Sequence, residues 1–174
     1  EAKDPWEYAA AAETLPLGNY KLVEEIGTDA CEAAALGWLL ASYVFERYKK
    51  RNRSPSRLAW PEGCDRGRVL AATKAMFLAR DLINTPASDL GPSELADVAQ
   101  GVAETFGAEY KVIVGEELLA ANYPMIHAVG RASRRSPRLI DIVWGDADHP
   151  KVTLVGKGVC FDSGGLNLKS GVAM

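Results

Sequence analysis

The chain has few cysteines, no long apolar run and little net charge. Its three cysteines, Cys31, Cys64 and Cys160, are far apart and form no CxxC pair. This spacing argues against a disulfide framework and a cysteine zinc site, and it is typical of the reducing cytoplasm. No apolar run reaches the roughly 18 residues that a membrane span needs. The net charge of −3 indicates neither nucleic acid nor an anionic membrane as a partner.

The 174 residues, 48% of them hydrophobic, suffice for one ordinary domain, or for one domain and part of another. Helical periodicity predicts a helix from Asp29 into the basic run at 49–53, a second helix from Asp65 to Asn84, and a third from Pro92 to Gly107. Strands are predicted at 20–23, 57–60, 110–114 and 138–144, with short helices at 115–122 and 124–129. The buried stripe of the second helix is predicted at Val69, Ala72, Met76, Ala79 and Ile83, and that of the third at Leu95, Val98, Ala99, Val102 and Phe106.

Several polar groups have an ordinary structural interpretation as well as a functional one. The basic run at 49–53 is interpreted as a solvated helix end rather than a nucleic-acid patch, because the rest of the chain is not basic. Arg80 and Asp81 are interpreted as local turn and capping chemistry. His127 is predicted to be packed and hydrogen-bonded, His149 to be exposed, and residues 130–137 to form a basic surface loop.

The most informative stretch is residues 151–169, KVTLVGKGVCFDSGGLNLK. The residues at 152–155 predict a buried strand that leads into glycine-rich turns carrying Lys157, Asp162 and Lys169. A dinucleotide fingerprint is excluded because Phe161 stands where the last glycine is needed, and a P-loop is excluded because Lys151 stands where its first glycine is needed. The stretch therefore presents charged groups at the end of a strand, without a phosphate cradle.

Two interpretations of these charges remain open from spacing alone. Asp162 supplies a hard oxygen suited to Zn, Mn or Mg, and a lysine amine can join it as a ligand after losing its proton beside a dication. Alternatively, Lys157 and Asp162 form an ion pair under a turn.

The stretch VGKGVCFDSGGLNLK resembles the first active-site motif of the leucyl aminopeptidase (cytosol aminopeptidase, M17) family. RDLINTPASDLGP at 80–92 and PMIHAVGRASRRSPRLIDIVWGD at 124–146 resemble the same family in the same order. The resemblance implies an α/β fold in which a helical linker leads into the first part of a mixed-sheet, zinc-peptidase-like catalytic domain. It further implies a remnant of an amino-terminal domain at 1–63, a linker helix and turn at 64–90, and a truncated catalytic domain at 91–174.

The resemblance also implies site roles and partners. Lys157 matches the family's amine ligand, Asp162 the carboxylate that bridges two divalent metals (Mn or Zn), and Lys169 the catalytic lysine that polarises the scissile carbonyl. The implied activity is release of amino-terminal residues, often leucine, from peptides with a free amino terminus. A bound bicarbonate, a homohexamer and a cytoplasmic location are implied as well.

The match departs from the family at its end. After Lys169 the chain reads Ser170 to Met174, and the family's later carboxylate ligands and catalytic arginine have no counterpart. We therefore expect a fragment of a longer enzyme that is inactive by itself. A non-catalytic or truncated relative that serves assembly or binding is the alternative. An Asp soon after Met174, followed by an Asp-x-Glu-x-Arg cluster, would favour the enzyme.

Overall fold

The computed structural model describes residues 4–23, 26–50 and 56–160. Their contacts divide the chain into two compact units, Glu1–Asn84 and Thr85–Met174. Helices and short strands alternate in the order α1 Pro5–Thr14, β1 Asn19–Tyr20, α2 Thr28–Ala41, β2 Arg57–Leu58, α3 Arg66–Asn84, α4 Pro92–Phe106, β3 Glu109–Val114, α5 Glu117–Ala120, α6 Pro124–Gly130 and β4 Arg138–Val143. This content confirms the predicted α/β class. None of the described helices combines the length and apolarity that a membrane crossing requires.

The first unit is built on a close approach of α1 and α2. Asp4 starts α1 by accepting a hydrogen bond from the backbone N–H of Trp6 at 3.0 Å, as a cap residue does. Gly37 of α2 lies so near the carbonyl of Pro5 that a Cβ atom there would stand 1.9 Å from its oxygen. The absence of a side chain at this position therefore sets how closely the two helices pack.

A buried serine joins this helix pair to the start of β2. The Trp38 indole donates to the Ser56 carbonyl oxygen at 2.9 Å, and the Ser56 hydroxyl donates to the Ala12 carbonyl oxygen at 2.9 Å. Strands β1 and β2 are a short parallel pair in which Tyr20 lies opposite Leu58. These bonds satisfy polar groups that would otherwise be buried without partners.

Helix α2 is shorter than predicted. It ends at Ala41, where Ser42 closes the last turn by donating its hydroxyl to the Leu39 carbonyl oxygen at 2.6 Å. The prediction that the helix continues into the basic run at 49–53 is wrong, because residues 43–50 are not helical. Residues 51–53 of that run lie outside the described residues.

Helix α3 confirms its predicted start and only part of its predicted buried face. The backbone N–H of Arg68 donates to the Asp65 carboxylate at 3.0 Å, so Asp65 caps the helix. Val69 and Thr73 are buried, whereas Met76 is 41% exposed and Ile83 is 82% exposed. Thr73 tolerates burial because its hydroxyl donates to the Val69 carbonyl oxygen within the helix.

The second unit places α4 against a two-stranded antiparallel sheet. Strand β3 pairs with β4 from Glu109 opposite Val143 to Val114 opposite Arg138. The Tyr110 hydroxyl on the sheet donates to the Ala96 carbonyl oxygen of α4 at 3.1 Å. Helix α4 ends at Gly107 as predicted, with a φ of 65°, a conformation that glycine adopts without strain.

The buried face of α4 differs from the predicted one. Ala96 and Ala103 are its buried residues, and Phe106 is 66% exposed. The other predicted residues, Leu95, Val98, Ala99 and Val102, are half-buried.

Residues 151–160 form neither helix nor strand, and all but Cys160 are exposed. The predicted buried strand at 152–155 is therefore wrong for this structure, in which Leu154 and Val155 are each 92% exposed. An apolar segment becomes a buried strand only when neighbouring strands and a covering layer receive it. In the described part of the chain, β3 and β4 pair only with each other.

The predicted division at residues 63 and 90 stays a prediction. The two compact units meet between Asn84 and Thr85, inside the stretch predicted as linker.

Candidate functional site

Of the three residues predicted to act chemically, the structure describes one. Lys157 lies in the glycine-rich part of the segment 151–160 and is exposed. Asp162 and Lys169 lie outside the described residues. No group of three or more His, Cys, Asp or Glu side chains capable of holding a metal occurs among the residues that the structure describes. The proposed two-metal site is therefore not assembled by the described part alone.

Lys157 lies on the surface beside a glycine that has open space around it. Nothing lies within 4 Å of the place where a Cβ would stand on Gly156, so the backbone beside the lysine faces open space. Lys157 makes no hydrogen bond or ion pair with another described residue, so its amine is not committed to a structural contact there. The role of Lys157 as a metal ligand stays a prediction.

The segment that carries Lys157 lies against the first turn of α4. A Cβ on Gly158 would stand 3.3 Å from Cδ2 of Leu95, so this glycine allows a close approach. Cys160 is half-buried, and burial raises the pKa of its thiol, with the charge of Glu94 acting in the same direction and that of Arg135 opposing it.

Arg135 fastens the loop that precedes α4. Its guanidinium donates from Nη1 to the Ala87 carbonyl oxygen at 2.6 Å and from Nη2 to the Ser88 carbonyl oxygen at 2.5 Å. A Cβ on Gly91 would stand 2.4 Å from Nη1 of Arg135, so Gly91 leaves the space through which the guanidinium passes. The sequence predicts residues 130–137 only as a basic surface loop, so it misses the bonds that Arg135 makes to the loop before α4. The glycine at position 91 is the one sequence feature that reflects this close approach.

Glu94 completes the start of α4 as predicted. Its carboxylate accepts the backbone N–H of Gly91 at 2.9 Å and the Ser93 hydroxyl at 3.1 Å. Hydrogen bonds from its own backbone N–H, from Ser93 and from Gly91, together with the charge of Arg135, hold the pKa of Glu94 below its ordinary value and outweigh its partial burial. The ionised carboxylate is thus the form that stabilises this turn.

Replacing Glu94 with glutamine is expected to lower the free energy of unfolding at pH 7. Because the folded pKa lies below the unfolded value of about 4.3, the charge stabilises the fold above that value and ceases to do so as pH falls through the folded pKa. Urea unfolding of both proteins from pH 7 to pH 3 should show the difference shrinking below about pH 4. Asp97→Asn, an exposed change in the same helix, is the control. A difference that stays constant with pH would contradict the prediction.

Arg80 and Asp81 make tertiary contacts, so their interpretation as local turn and capping chemistry is wrong. The Arg80 guanidinium donates to the Leu40 carbonyl oxygen at 3.0 Å and lies 5.2 Å from the centroid of the Tyr43 ring. The Tyr43 hydroxyl donates to Asp81 at 2.7 Å and accepts from the Asn84 amide at 3.1 Å. Burial, followed by the bond to Asp81, raises the pKa of Tyr43. The Arg80 bond joins α3 to α2, and the Tyr43 contacts join α3 to the residues that follow α2.

The two histidines behave as predicted. Nε2 of the His127 ring lies 3.0 Å from the Glu116 carboxylate, and 14% of the His127 side chain is exposed. His149 is exposed in the turn after β4. The role of His127 is thus explained by its contact with Glu116.

Two models of protein families match this chain, and together they include residues of both units. The model of the cytosol aminopeptidase family, catalytic domain, matches residues 77–174, and that of the M17 aminopeptidase N-terminal domain matches residues 1–61. A probable cytosol aminopeptidase of Mycobacterium ulcerans is 35% identical over 192 aligned positions, covering 95% of this chain and 36% of that protein. One from Aquifex aeolicus is 32% identical, covering 84% of this chain and 31% of that protein.

Solved structures of related proteins also match the fold of this chain. The cytosol aminopeptidase from Coxiella burnetii has a TM-score of 0.85 and 45% identity, covering 98% of this chain and 37% of that one. A bottromycin maturation enzyme in complex with Mn has a TM-score of 0.65 and 29% identity, covering 83% of this chain and 33% of that one. The chain thus spans about a third of the length of these known relatives.

Proposed function

Because this chain belongs to the cytosol aminopeptidase family, M17, we propose that the complete protein is a metal-dependent aminopeptidase that releases amino-terminal residues, often leucine, from peptides. The observation that carries the proposal is the family match over residues 77–174. That range contains Lys157, Asp162 and Lys169, the residues that we propose to act at the site.

The proposed site holds two divalent ions, Mn or Zn. The Mn complex of the related bottromycin maturation enzyme supports this choice of metal. Lys157 would hold one ion through its amine, and Asp162 would bridge both through its carboxylate. Further ligands would be needed, because each ion needs roughly four to six donors. Two such ions, when bound, lower the pKa of a water and stabilise developing negative charge.

The remaining steps belong to protein side chains. Lys169 would donate a hydrogen bond to the scissile carbonyl oxygen, where negative charge develops as water attacks the carbonyl carbon. The peptide's free amino terminus would be anchored in the site, which limits cleavage to the first residue. A bicarbonate beside the family's arginine, a homohexameric assembly and a cytoplasmic location are part of the same proposal.

The test is hydrolysis of leucine p-nitroanilide by the complete protein with added Mn²⁺ or Zn²⁺. Lys169→Ala is expected to lower kcat by about 10²-fold, because it removes a donor to the developing oxyanion. Binding of Mn²⁺, measured by calorimetry, should change little, since Lys169 is not proposed as a ligand. Full activity of Lys169→Ala would refute the role of Lys169. A wild-type protein without metal-dependent activity would refute the proposed function and favour a non-catalytic relative.

A further inference from the structure

We propose that Cys31 and Cys64 form a disulfide bond when the protein is oxidised, and that this bond fastens the start of α2 to the turn before α3. Both residues are free thiols in the structure. The bond would form whether or not the complete protein is a peptidase. The sequence alone does not indicate this pair, because only folding brings residues that are far apart along the chain together.

The Cys31 thiol contacts the chain segment that carries Cys64. Its Sγ donates to the Glu62 carbonyl oxygen at 3.2 Å and to the Ile26 carbonyl oxygen at 3.2 Å. Glu62 stands two residues before Cys64, and two residues of extended chain span at most about 7 Å. Here Glu62 and Gly63 form a turn, in which Gly63 has a φ of 79°, so the chain is folded rather than extended. Cys64 therefore lies close to the buried thiol.

A second contact holds the other side of the same turn. Glu32, the residue after Cys31, places its carboxylate 3.6 Å from Nη1 of Arg68. The backbone N–H of Arg68 in turn donates to the Asp65 carboxylate at 3.0 Å, which fixes the chain between the turn and α3. Neighbouring residues of α2 thus contact the chain on both sides of Cys64.

The two thiols differ in their access to an oxidant. Cys31 is 2% exposed, whereas Cys64 is half-buried, so a small disulfide such as glutathione disulfide meets Cys64 first. The Cys64 thiolate attacks one sulfur of that disulfide, and one glutathione leaves and takes up the proton that Cys64 lost. Cys31 then loses its proton and attacks the Cys64 sulfur, which releases the second glutathione as a thiol. Two cysteines are thereby oxidised, and one glutathione disulfide is reduced.

The protonation of Cys64 sets the expected rate of this reaction. Burial raises the pKa of the Cys64 thiol, and the charges of Glu32, Cys31 and Asp65 act in the same direction. Because the thiolate is the attacking species, the bond should form slowly at neutral pH. The pair would therefore respond to sustained oxidation.

The bond would constrain the first unit. A cross-link between residues that are distant in sequence removes conformations from the unfolded chain and so favours the folded state. The oxidised protein is therefore expected to unfold at a higher urea concentration than the reduced protein.

The experiment treats the folded complete protein with glutathione disulfide, blocks the remaining thiols with N-ethylmaleimide and identifies the products by non-reducing peptide mass spectrometry. The expected product is a linked pair of peptides, one with Cys31 and one with Cys64, that is two hydrogen atoms lighter than the separate peptides. The midpoint of urea unfolding should rise after oxidation, and dithiothreitol should reverse both changes. Cys160→Ser is the control and should form the same bond, because Cys160 lies in the second unit.

Two variants test the order of attack. In Cys31→Ser, a hydroxyl can donate to the same carbonyl oxygens, and Cys64 should accumulate as a mixed disulfide with glutathione because no second thiol displaces it. In Cys64→Ser, Cys31 should stay unmodified because it is buried.

The wild-type protein decides the question even if a variant does not fold. Folded wild-type protein in which Cys64 carries only glutathione, or in which both thiols stay free after prolonged oxidation, would overturn the inference. A bond between Cys31 and Cys64 that forms only in urea would overturn it as well, since the folded chain would then not bring the thiols together. A linked protein whose urea midpoint does not rise would overturn the proposed fastening of α2.

Discussion

Replacing Lys157 with alanine in the complete protein is expected to lower kcat/KM for leucine p-nitroanilide by about three orders of magnitude. A metal ion contributes several kcal/mol to transition-state stabilisation, and each 1.36 kcal/mol corresponds to a factor of ten in rate. Losing a ligand should remove most of that contribution. Calorimetry should show weaker Mn²⁺ binding in the same variant, because the amine is proposed to coordinate the ion directly.

Lys151→Ala is the matched control, since Lys151 is an exposed lysine of the same segment with no proposed role. It is expected to retain wild-type activity and metal binding.

Lys157→Arg distinguishes the metal ligand from the ion pair that the spacing also allows. A guanidinium keeps its positive charge and can pair with Asp162, but it cannot lose a proton to become a ligand. Arginine should therefore fail to restore activity if Lys157 binds metal. Substantial activity in Lys157→Arg would contradict the ligand role and support the ion pair.

Replacing Gly37 with alanine is expected to destabilise the first unit by about 2 kcal/mol or more. Inserting a methyl group into a well-packed interface commonly costs about 1–3 kcal/mol. Here the new Cβ would stand 1.9 Å from the Pro5 carbonyl oxygen and 3.1 Å from the Tyr8 Cβ. Because the nearest atom belongs to the backbone, the whole of α1 must shift. That cost exceeds the gain of roughly 1 kcal/mol that alanine brings to a helix interior.

Gly101→Ala is the control for this second prediction. Gly101 lies in the interior of α4, is exposed, and has nothing within 4 Å of its Cβ position. Alanine should therefore stabilise the protein by up to about 1 kcal/mol through helix propensity. Urea unfolding measures both variants. Equal stability of Gly37→Ala and the wild type would show that α1 and α2 are not fixed by their close approach.

The local features of this fold were predictable because they depend on residues within one turn. Asp65 caps α3, Glu94 caps α4, and Gly107 ends α4 in a left-handed conformation. In each case the residue acts on a backbone group no more than four positions away. Such bonds are available in any chain that forms the helix, so the sequence alone indicates them.

The faces and contacts of the helices were not predictable in the same way. In α3 the sequence offers an apolar stripe through Met76 and Ile83, but the structure turns Thr73 and Phe77 inward. The Phe77 ring lies 5.1 Å from that of Tyr43, so a residue that follows α2 helps to decide which face of α3 is covered. Arg80 and Asp81 likewise find their partners about 40 residues away.

By itself the sequence determined the family and the types of chemical group at the proposed site. The spacing of Lys157, Asp162 and Lys169 is a local property and survives whatever the rest of the chain does. Only the tertiary structure decided that residues 152–155 remain exposed in this chain, and that Arg135 reaches carbonyl oxygens 47 and 48 positions earlier. The physical reason is that burial and long-range bonds depend on which surfaces meet, and that information is not carried by any single stretch of residues.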